Sequence, residues 1–497
     1  MILELSLLFL TLGLMLFLWN TKPTNFPPGP RPLPIIGNLH QLGTEPHKTF
    51  MEMRKKYGDI FSLKFASYDV IVLNNYKDIK DAFAENSLSG RADFKPLRDR
   101  SGGMPRGVIF NVERGWTEQR RFALKSLRDF GFGKKSMETV VYDEINELID
   151  TFRKTIGKPM QTQNKFNAAV LNALWTMVTG QRYSHDDPML QDLIKRLTSS
   201  VSQSRAASAV LFFPWLYVIR NQLTMFLKYA RERQESIAKT MAFVKGTVTD
   251  HQNTFQKDAA PRDFIDMYLG EMEKTTDPAS SFYKEEGLKN LTITLLDLFV
   301  AGAETTSTTL SWEFLLLALN PDKQEKLHEE IKRVVGLSRL PSLNDRPSMP
   351  YTEAVINEVM RFSAMVPLAV FHSALEDMTF KGYTIPKGTL VIPNLYCAMH
   401  DPEVWKDPKV FRPERFLSED GKTLIKNEAN MPFSTGKRIC LGMTLAQDEL
   451  FLFTSSLFQR FQVGPDPNGE KLTVDYHCAS VLLPKPHNLV LHDRIEE

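Results

Sequence analysis

The chain has 497 residues, with 61 Lys and Arg against 59 Asp and Glu, so its formal net charge is only +2. This near balance argues against nucleic acid as the main partner. The three cysteines, Cys397, Cys440 and Cys478, exclude a disulfide framework and indicate that the folded part lies in a reducing compartment.

Residues 1–20 are predicted to form an amino-terminal transmembrane anchor. The stretch 2–19 is mostly Leu, Phe, Ile and Met, and about 18 helical residues reach roughly 27 Å, enough to span a bilayer with modest thinning. A cleavable signal peptide is the alternative, but it needs a basic start and small residues at a cleavage site, which this segment lacks. Because Glu4 lies at the start of the apolar run and Lys22 follows it, the positive-inside rule predicts that the rest of the chain stays in the cytosol.

Residues 21–38 are predicted to be a proline-rich hinge. Five of the eight residues 27–34 are proline, which prevents a helix and favours a stiff, extended spacer. A generic linker or a ligand for a proline-binding domain is the alternative for this composition. No Ser/Gly linker, charge block or internal repeat divides residues 39–497, so we expect them to form one large domain.

The body of the chain predicts a mostly α-helical fold with small β-sheets. Two short strands, 60–65 and 70–73, are separated by turn residues. Segment 210–218 carries no charge and contains Pro214; it is either part of the core or a surface loop that contacts a membrane or a ligand. Apolar residues at helical spacing predict helices over residues 116–130, 137–153, 166–179, 189–205, 287–319, 352–362 and 443–461.

The stretch from Phe433 to Gly442 carries the strongest chemical signal. It places the single thiol of Cys440 between Gly436 and Gly442, with basic Lys437 and Arg438 just upstream, at the start of a predicted helix. A helix N-terminus and basic neighbours favour the thiolate, the form that binds metal. One thiolate without other Cys or His ligands suits a metal already held by a macrocycle, as in a haem bound through cysteine. The alternative is a buried structural cysteine.

The long predicted helix 287–319 is apolar nearly all round, which indicates that it is buried in a large domain. In its middle, Ala301-Gly302-Ala303-Glu304-Thr305-Thr306 combines poor helix formers with an ionisable side chain. Such a local conflict is where a functional site is expected. The alternative is a packing glycine with Thr hydroxyls bonded back to helix carbonyls. Asp297, one turn earlier, is interpreted as structural or as a polar anchor for substrate.

Two further spacings place polar side chains on a shared helix face. Trp116 and Arg120 are four residues apart, so their N–H groups can both donate to a carboxylate; an Arg stem covering a packed Trp is the alternative. Glu358 and Arg361 are three residues apart on a helix that is otherwise largely apolar, which predicts a partly buried ion pair.

Together these strings resemble the cytochrome P450 superfamily, and in particular its vertebrate microsomal family 2. The resemblance rests on Pro27-Pro28-Gly29-Pro30, the 301–306 hexapeptide, Glu358-x-x-Arg361, Pro413-Glu414-Arg415-Phe416 and Phe433–Gly442, which follow one another in the family's order. It implies the P450 fold, a large helical domain with a minor β-rich region, and makes residues 39–497 a haem-thiolate catalytic domain.

The resemblance also implies roles for single residues. Cys440 becomes the axial ligand of the haem iron, Thr305 and Glu304 relay protons toward dioxygen, and Arg415 joins Glu358 and Arg361 in a structural network. The implied haem-binding residues are Arg438, Trp116, Arg120, Arg91, His372, Phe433, Gly436 and Gly442. The predicted substrate-lining residues are 108–110, Phe299, Ala301, 366–370 (including Leu368) and Val481; core packing is the alternative for each of them.

The implied function is a haem-thiolate monooxygenase of the endoplasmic reticulum membrane, with its catalytic domain on the cytosolic face. Electrons would come from NADPH through NADPH–cytochrome P450 reductase, with cytochrome b5 as a further candidate partner, and one oxygen atom would enter a lipophilic fatty acid, steroid or xenobiotic. The predicted docking face comprises Arg121, Lys125, Lys134, Lys135 and Lys437; a solvated charge cluster is the alternative. Two other functions stay open: a haem-thiolate isomerase or peroxide-rearranging enzyme, and a non-catalytic haem-binding membrane protein.

Overall fold

The computed structural model describes residues 23–129, 135–201, 211–213, 215, 219 and 228–494. The predicted anchor over residues 1–20 lies outside these ranges. Within them, no helix is both long and apolar enough to cross a bilayer.

The described residues are mainly helical, as the sequence predicts. The α-helices, numbered in chain order, are α1 Pro46–Tyr57, α2 Tyr76–Ala84, α3 Lys95–Asp99, α4 Glu113–Asp129, α5 Lys135–Arg153, α6 Asn167–Thr179, α7 Pro188–Val201, α8 Lys228–Thr254, α9 Phe264–Lys274, α10 Lys284–Leu319, α11 Pro321–Val334, α12 Pro350–Ser363, α13 Leu395–His400, α14 Pro402–Trp405 and α15 Met443–Arg460. The predicted helices correspond to α4, α5, α6, α7, α10, α12 and α15, with their ends within a few residues of the expected positions where the chain is described.

The strands form small sheets beside the helices. They are β1 Ile60–Phe65, β2 Tyr68–Leu73, β3 Gly90–Arg91, β4 Pro159–Gln161, β5 His372–Ser373, β6 Met378–Phe380, β7 Tyr383–Ile385, β8 Leu390–Pro393, β9 Phe461–Pro465, β10 Tyr476–Cys478, β11 Leu482–Pro484 and β12 Asn488–Asp493. The largest sheet has the order β1-β2-β8-β5-β3. Its first hairpin pairs Ile60 with Leu73 and Phe65 with Tyr68, so β2 begins two residues earlier than predicted.

Helix α10 organises the core. It is 36 residues long, about 54 Å at 1.5 Å per residue, and it packs against α6, α7, α8, α9, α11, α12 and α15. Most residues from Gly287 to Ala318 are buried, because a helix surrounded by other helices leaves little of its surface to solvent. It ends where Asn320 precedes Pro321, which cannot continue the same helix.

Candidate active site

A cavity of about 280 Å³ lies between α10 and the segment that precedes α15. The α10 wall is one helix face, because residues 297, 298, 301, 302, 305 and 306 recur at helical spacing. The other lining residues are Arg91, Val108, Ile109, Arg120, Leu127, Leu174, Met365, Val366, Ala369, Val370, His372, Leu395, Pro432, Phe433, Ser434, Arg438, Ile439, Cys440, Leu441, Gly442, Leu445, Ala446 and Glu449. The cavity thus joins Cys440 to the 301–306 hexapeptide.

The thiol of Cys440 faces this cavity. Its backbone N–H donates to Phe433 O at 3.0 Å, which closes the loop around it. The side chain is accessible from the cavity, yet the surrounding protein raises the pKa of the thiol by desolvation, and this outweighs the opposite effects of the Gly442 N–H and Arg120. Gly442 and Arg120 thus favour the thiolate, as expected, and burial opposes them because it penalises the charged form; a bound metal supplies the charge that displaces the proton.

The two glycines of the loop serve different purposes. Gly442 lines the cavity, and a Cβ there would meet open space. Gly436 does not line the cavity: its φ is +74°, and a Cβ would lie 2.0 Å from Phe83 O. Gly436 is thus required for the close packing of the loop against α2, rather than for contact with a ligand as predicted.

Three arginines converge on the cavity without an acidic partner among the described residues. Arg120 donates to Ile439 O at 2.6 Å, and Arg438 donates to Ser89 O at 2.8 Å and Asn111 O at 2.7 Å. Burial lowers the pKa of Arg438, and repulsion by Arg91 and Arg120 lowers it further. An acidic ligand would relieve both effects.

His372 and Arg91 are brought to the same wall by strand pairing, since they are directly opposed in β5 and β3. The His372 ring stacks on Phe83 at 3.8 Å, and its Nδ1 lies 2.7 Å from Leu88 O. Burial, with the nearby Arg91 charge, holds the pKa of His372 well below its usual value, so the imidazole is neutral. Arg91 donates to Ile109 O at 3.0 Å and Val370 O at 2.9 Å.

This set of residues fits a haem. Trp116 Nε1 and Arg438 Nη1 are buried without a hydrogen-bond partner, and unsatisfied buried donors indicate a site for an acceptor that belongs to a ligand. The Arg438 guanidinium stacks over Trp116 at 3.8 Å. The thiol matches an iron ligand, and the apolar cavity matches a flat macrocycle. The group of cations with spare donors matches the carboxylates of that macrocycle.

Glu304 does not line the cavity, although Thr305 does. The Glu304 carboxylate accepts hydrogen bonds from Asn167 Nδ2, at 3.0 Å, and from the Thr198 hydroxyl, which belong to α6 and α7. Burial raises its pKa. The predicted pairing of Glu304 with Thr305 is thus not formed inside the cavity, because consecutive helix residues point about 100° apart. The Thr305 hydroxyl donates to Ala301 O at 2.8 Å.

The carboxyl group that does line the cavity beside Thr306 is Glu449, on α15. It is 2% exposed, and its Oε1 has no partner. No sequence motif marks Glu449, because it lies seven residues beyond Gly442, inside an apolar helix. The signal that was present in the sequence is an acidic residue inside an apolar helix. Such a residue is expected to be buried, and a buried acid seldom occurs without a role.

The predicted substrate-lining residues divide into two groups. Ala301 lines the cavity, as do Val108, Ile109, Val366, Ala369 and Val370. Phe299, Leu368 and Val481 do not: Phe299 packs against Trp175 with ring centroids 4.4 Å apart, Leu368 packs on the cluster around Phe61, and Val481 is buried elsewhere. Leu298 lines the cavity instead, and the spacing from Thr305 through Ala301 would have identified it.

Asp297 is fully buried and its carboxylate is saturated. It pairs with Arg100 and accepts from the Val108 and Ile109 N–H groups, each at 2.9 Å. At Gly107 an added Cβ would lie 2.4 Å from this carboxylate. Asp297 therefore anchors residues 100–109 to α10 with both of its carboxylate oxygens engaged, which favours the structural interpretation.

The structure brings Glu358, Arg361 and Arg415 together. Arg361 donates to both carboxylate oxygens of Glu358, at 2.7 and 2.9 Å, and Arg415 Nε donates to Glu358 Oε1 at 3.1 Å. Arg361 also donates to Met399 O and Pro408 O. Glu358 and Arg361 are fully buried. The network ties α12 to the segment that leads to the cysteine loop.

Of the predicted docking face, Arg121, Lys125 and Lys437 are exposed. Lys134 lies outside the described residues, and the Lys135 side chain is not described.

Of segment 210–218, Phe212 is buried against Phe65 and Phe94, whereas Trp215 is 56% exposed.

Comparison with known proteins agrees with this geometry. The sequence model of the family described as Cytochrome P450 matches residues 27–491. The chain is 40% identical over 474 residues to Cytochrome P450 2B2 of Rattus norvegicus (92% of each chain). It is 38% identical over 480 residues to Cytochrome P450 2J2 of Homo sapiens (95% of this chain, 92% of that protein) and 38% identical over 478 residues to Cytochrome P450 2K4 of Oncorhynchus mykiss (94% and 92%).

Proposed function

Because this chain belongs to the cytochrome P450 family and is a haem-thiolate monooxygenase, we propose that it oxidises the uncharged part of a lipophilic substrate with electrons delivered from NADPH by a reductase. The observation that carries this proposal is the cavity that joins Cys440 and a group of arginines to an apolar wall on α10. Fatty acids, steroids and foreign compounds all satisfy this description of the substrate.

The residues that would hold the haem are Cys440, as the iron ligand, and the side chains that carry donors near it. Trp116 Nε1 and Arg438 Nη1 have unused buried donors, and Arg91 and Arg120 add positive charge that suits the carboxylates of the macrocycle. When bound, the haem supplies the reductive activation of dioxygen, and thiolate ligation favours cleavage of the O–O bond.

The apolar lining supports a substrate whose reacting part is uncharged. Leu298, Ala301, Val366 and Val370 would contact it, and burying a charge among them would be costly without a partner. Asp297, the one lining carboxylate on this face of α10, is already saturated by Arg100 and two backbone N–H groups. Recognition would therefore depend on shape and apolar area rather than on an ion pair.

Thr305 is the proposed hydroxyl that handles protons at this wall. Its hydroxyl bonds to Ala301 O, an interaction that a water molecule can replace because the group can rotate. Ala301 and Gly302 leave the hydroxyl uncovered on the cavity side. Glu304 lies on the side of α10 that faces α6 and α7. It would act by fixing α10 against these helices rather than by direct proton transfer.

The reductase would dock on the surface nearest the cysteine loop. Arg120 bonds to Ile439 O, so α4 lies against this loop, and the exposed Arg121 and Lys125 follow on the same helix. Lys437 is exposed on the loop itself. An acidic partner surface would complement these charges and accelerate association at low salt. Cytochrome b5 is a second candidate for the same surface.

A membrane would contact the amino-terminal side of the domain. Leu33, Ile35 and Ile36 are 46%, 64% and 37% exposed, and Trp215 and Ile219 are 56% and 43% exposed. Phe212 and Phe213, near Trp215, pack with the cluster around Phe65. Phe65 also pairs with Gly37, the residue after Ile36, so both apolar regions lie beside Phe65. Together with the apolar stretch 2–19, they support attachment to the cytosolic face of the endoplasmic reticulum membrane.

The first experiment compares the absorption spectrum of the reduced carbon monoxide complex in wild type, Cys440→Ser and Cys478→Ser. We expect the strongly red-shifted band of a thiolate ligand in wild type and Cys478→Ser, and its loss in Cys440→Ser. An unshifted band in folded wild-type protein would contradict the ligand assignment.

The second experiment tests substrate and electron supply together. A long-chain alcohol, carboxylate and ammonium compound of equal length are incubated with reductase and NADPH, and the oxidised carbon is identified. We expect oxidation of the aliphatic part in each case and tightest binding for the alcohol. Oxidation next to a charged group would contradict the proposal, and turnover of a hydroperoxide without reductase or NADPH would favour a peroxide-rearranging enzyme.

A further inference from the structure

A groove of about 530 Å³ lies between α4 and α9. Helix α4 contributes residues 118, 121, 122, 125 and 126, which recur at helical spacing and therefore share one face. The opposite face of α4 carries Arg120 and Leu127, which line the cavity that contains Cys440. No residue lines both spaces. The groove is thus separate from the candidate active site, and its volume is in the range of sites for small organic molecules.

The apolar part of the groove is aromatic. Phe122 and Phe282 both line it, with ring centroids 5.2 Å apart. Phe255 lines it from the segment that follows α8. Phe122 and Phe255 are only partly buried, so part of each ring is available to a ligand. A flat aromatic ligand would make the offset or edge-on contacts that such rings favour.

Gly270 keeps the α9 side of the groove open. It lies inside an 11-residue helix, where glycine is less favourable than any other residue except proline. A Cβ at this position would meet only the Phe255 ring, at 4.0 Å. Packing within the described structure therefore does not require a glycine here, and the missing side chain leaves space that a ligand would fill.

The free charges around the groove are mostly positive. Arg121, Lys125 and Lys274 line it, are exposed, and form no ion pair with a described residue. Among the described lining acids, only Glu271 is likewise unpaired. Three free cations against one free acid favour an anionic ligand. The other lining acids are engaged: Glu118 with Arg114 and Ser281, Asp266 with Arg262, and Glu273 with Lys257.

Ser126 provides an independent observation. It lines the groove and is fully buried, and its hydroxyl has no hydrogen-bond partner among the described residues. A hydroxyl inside a helix often donates to the carbonyl four residues earlier, as Thr117 does to Glu113 O in the same helix, at 2.9 Å. An unsatisfied buried hydroxyl at a groove wall indicates a place for an acceptor that belongs to a ligand.

We propose that this groove is a second ligand site, and that it binds a soluble aromatic carboxylate. The aromatic ring of the ligand would pack against Phe122 and Phe255. Its carboxylate would pair with the free cations, and the Ser126 hydroxyl would donate to one of its oxygens. Neither the 301–306 hexapeptide nor the cysteine loop contributes to this site.

Occupancy of the groove would slow electron delivery, a consequence that rests on the proposed function. Arg121 and Lys125 belong both to the groove and to the proposed docking surface for the reductase. A bound carboxylate would neutralise part of their charge, and association with an acidic partner slows when complementary charge is lost. Substrate affinity would stay unchanged, because the groove and the cavity share no residue.

The first test measures binding to the haem-loaded protein by equilibrium dialysis. The probes are naphthoate, the neutral naphthylmethanol and the cationic naphthylmethylamine. An azole that ligates the haem iron keeps the active-site cavity occupied, and the haem spectrum verifies this. We expect naphthoate to bind about tenfold more tightly than either of the other probes, because only the carboxylate gains charge-assisted hydrogen bonds. Equal binding of naphthoate and naphthylmethanol would overturn the proposed site.

Gly270→Leu is the decisive variant. Leucine is a better helix former than glycine, so the change should fill the groove without easier thermal unfolding. We expect naphthoate binding to weaken by at least about tenfold, because the space for the ring is lost. Wild-type affinity for naphthoate in Gly270→Leu would contradict the inference.

A pair of charge variants tests the cations. Lys125→Gln should weaken naphthoate binding roughly two- to fivefold, as expected for an exposed ion pair. Arg128→Gln is the matched control: it removes an exposed cation from the same helix, but Arg128 does not line the groove, so binding should match wild type. Equal losses in both variants would show that naphthoate responds to general charge rather than to this site.

The second test measures how fast reductase and NADPH reduce the haem iron, without the azole. We expect naphthoate to slow the reduction of wild type at low salt and to leave Gly270→Leu unaffected. An unchanged rate in wild type at saturating naphthoate would refute the effect on electron delivery. Failure of the proposed function would instead appear as the lack of any NADPH-dependent reduction in wild type while the dialysis result stands.

Discussion

The Arg438 guanidinium lies on the face of the Trp116 indole, with its carbon 3.8 Å from the ring centroid. Each of these side chains has one buried donor without a partner, Trp116 Nε1 and Arg438 Nη1. Stacking limits the motion of both groups, so their spare donors are held ready for an acidic ligand. The pair joins α4 to the cysteine loop, which the sequence separates widely.

Arg438→Lys should weaken haem retention. Lysine keeps the charge but loses the planar fork and the stacking surface. Loss of one or two charge-assisted hydrogen bonds at about 1.5–3 kcal/mol each predicts at least a tenfold faster transfer of haem to an excess of apo-globin. The exposed neighbour Lys437 provides the control, and Lys437→Arg should lose haem at the wild-type rate. Equal transfer rates for Arg438→Lys and wild type would contradict a haem contact.

Glu358→Gln should destabilise the domain strongly. The change leaves Arg361, which is fully buried, without its countercharge, and breaking one partner of a buried pair costs roughly 3–5 kcal/mol. Urea unfolding measures the loss. Glu285→Gln, which removes an exposed pair with Lys289, should leave the free energy of unfolding nearly unchanged, because solvent screens such pairs.

Arg361→Ala should abolish haem incorporation rather than alter turnover. It removes the contacts to Glu358, Met399 O and Pro408 O that fix the segment before the cysteine loop. The ratio of haem to protein after purification measures the effect. A wild-type ratio in soluble Arg361→Ala would show that the network does not support haem binding.

Glu313→Gln should change how stability depends on pH. Burial raises the pKa of Glu313 from 4.5 to about 8, against a smaller lowering by its bond with Thr454. Between these values the folded state binds more protons than the unfolded state, so stability falls as pH rises from about 4.5 to 8. The free energy of unfolding falls by roughly 5 kcal/mol once a group with this shift is fully ionised in the folded state. Thermal unfolding at pH 5–9 should therefore show a shallower slope in Glu313→Gln than in wild type or in Glu329→Gln, a change at an exposed site.

Ala301→Phe and Phe299→Ala should separate the cavity from the core. Ala301→Phe fills space at the cavity wall, so we expect a narrower substrate range with nearly unchanged stability. Phe299→Ala removes a ring packed on Trp175 and should cost about 3–5 kcal/mol. A panel of substrates of increasing size, together with urea unfolding of both variants, checks this contrast. Similar effects in the two variants would contradict the division between lining and core residues.

The sequence alone determined the helical elements and predicted an iron ligand at the cysteine loop. Apolar spacing predicted α10 and α12 because helical periodicity is a local property. The short fixed spacings of Trp116 with Arg120 and Glu358 with Arg361 likewise identify shared faces, since a helix converts spacing into direction. The single thiol between two glycines indicated an iron ligand, because one thiolate without other Cys or His ligands suits a metal already held by a macrocycle.

Only the tertiary structure decided which helix faces meet. The direction of Glu304 depends on where α6 and α7 pack, and the position of Glu449 at the cavity wall depends on how α15 packs against α10. Phe299 and Leu298 are adjacent in sequence, yet one packs in the core and the other lines the cavity. Such contacts join residues far apart in the chain, and they arise from packing all helices together, which no local pattern encodes.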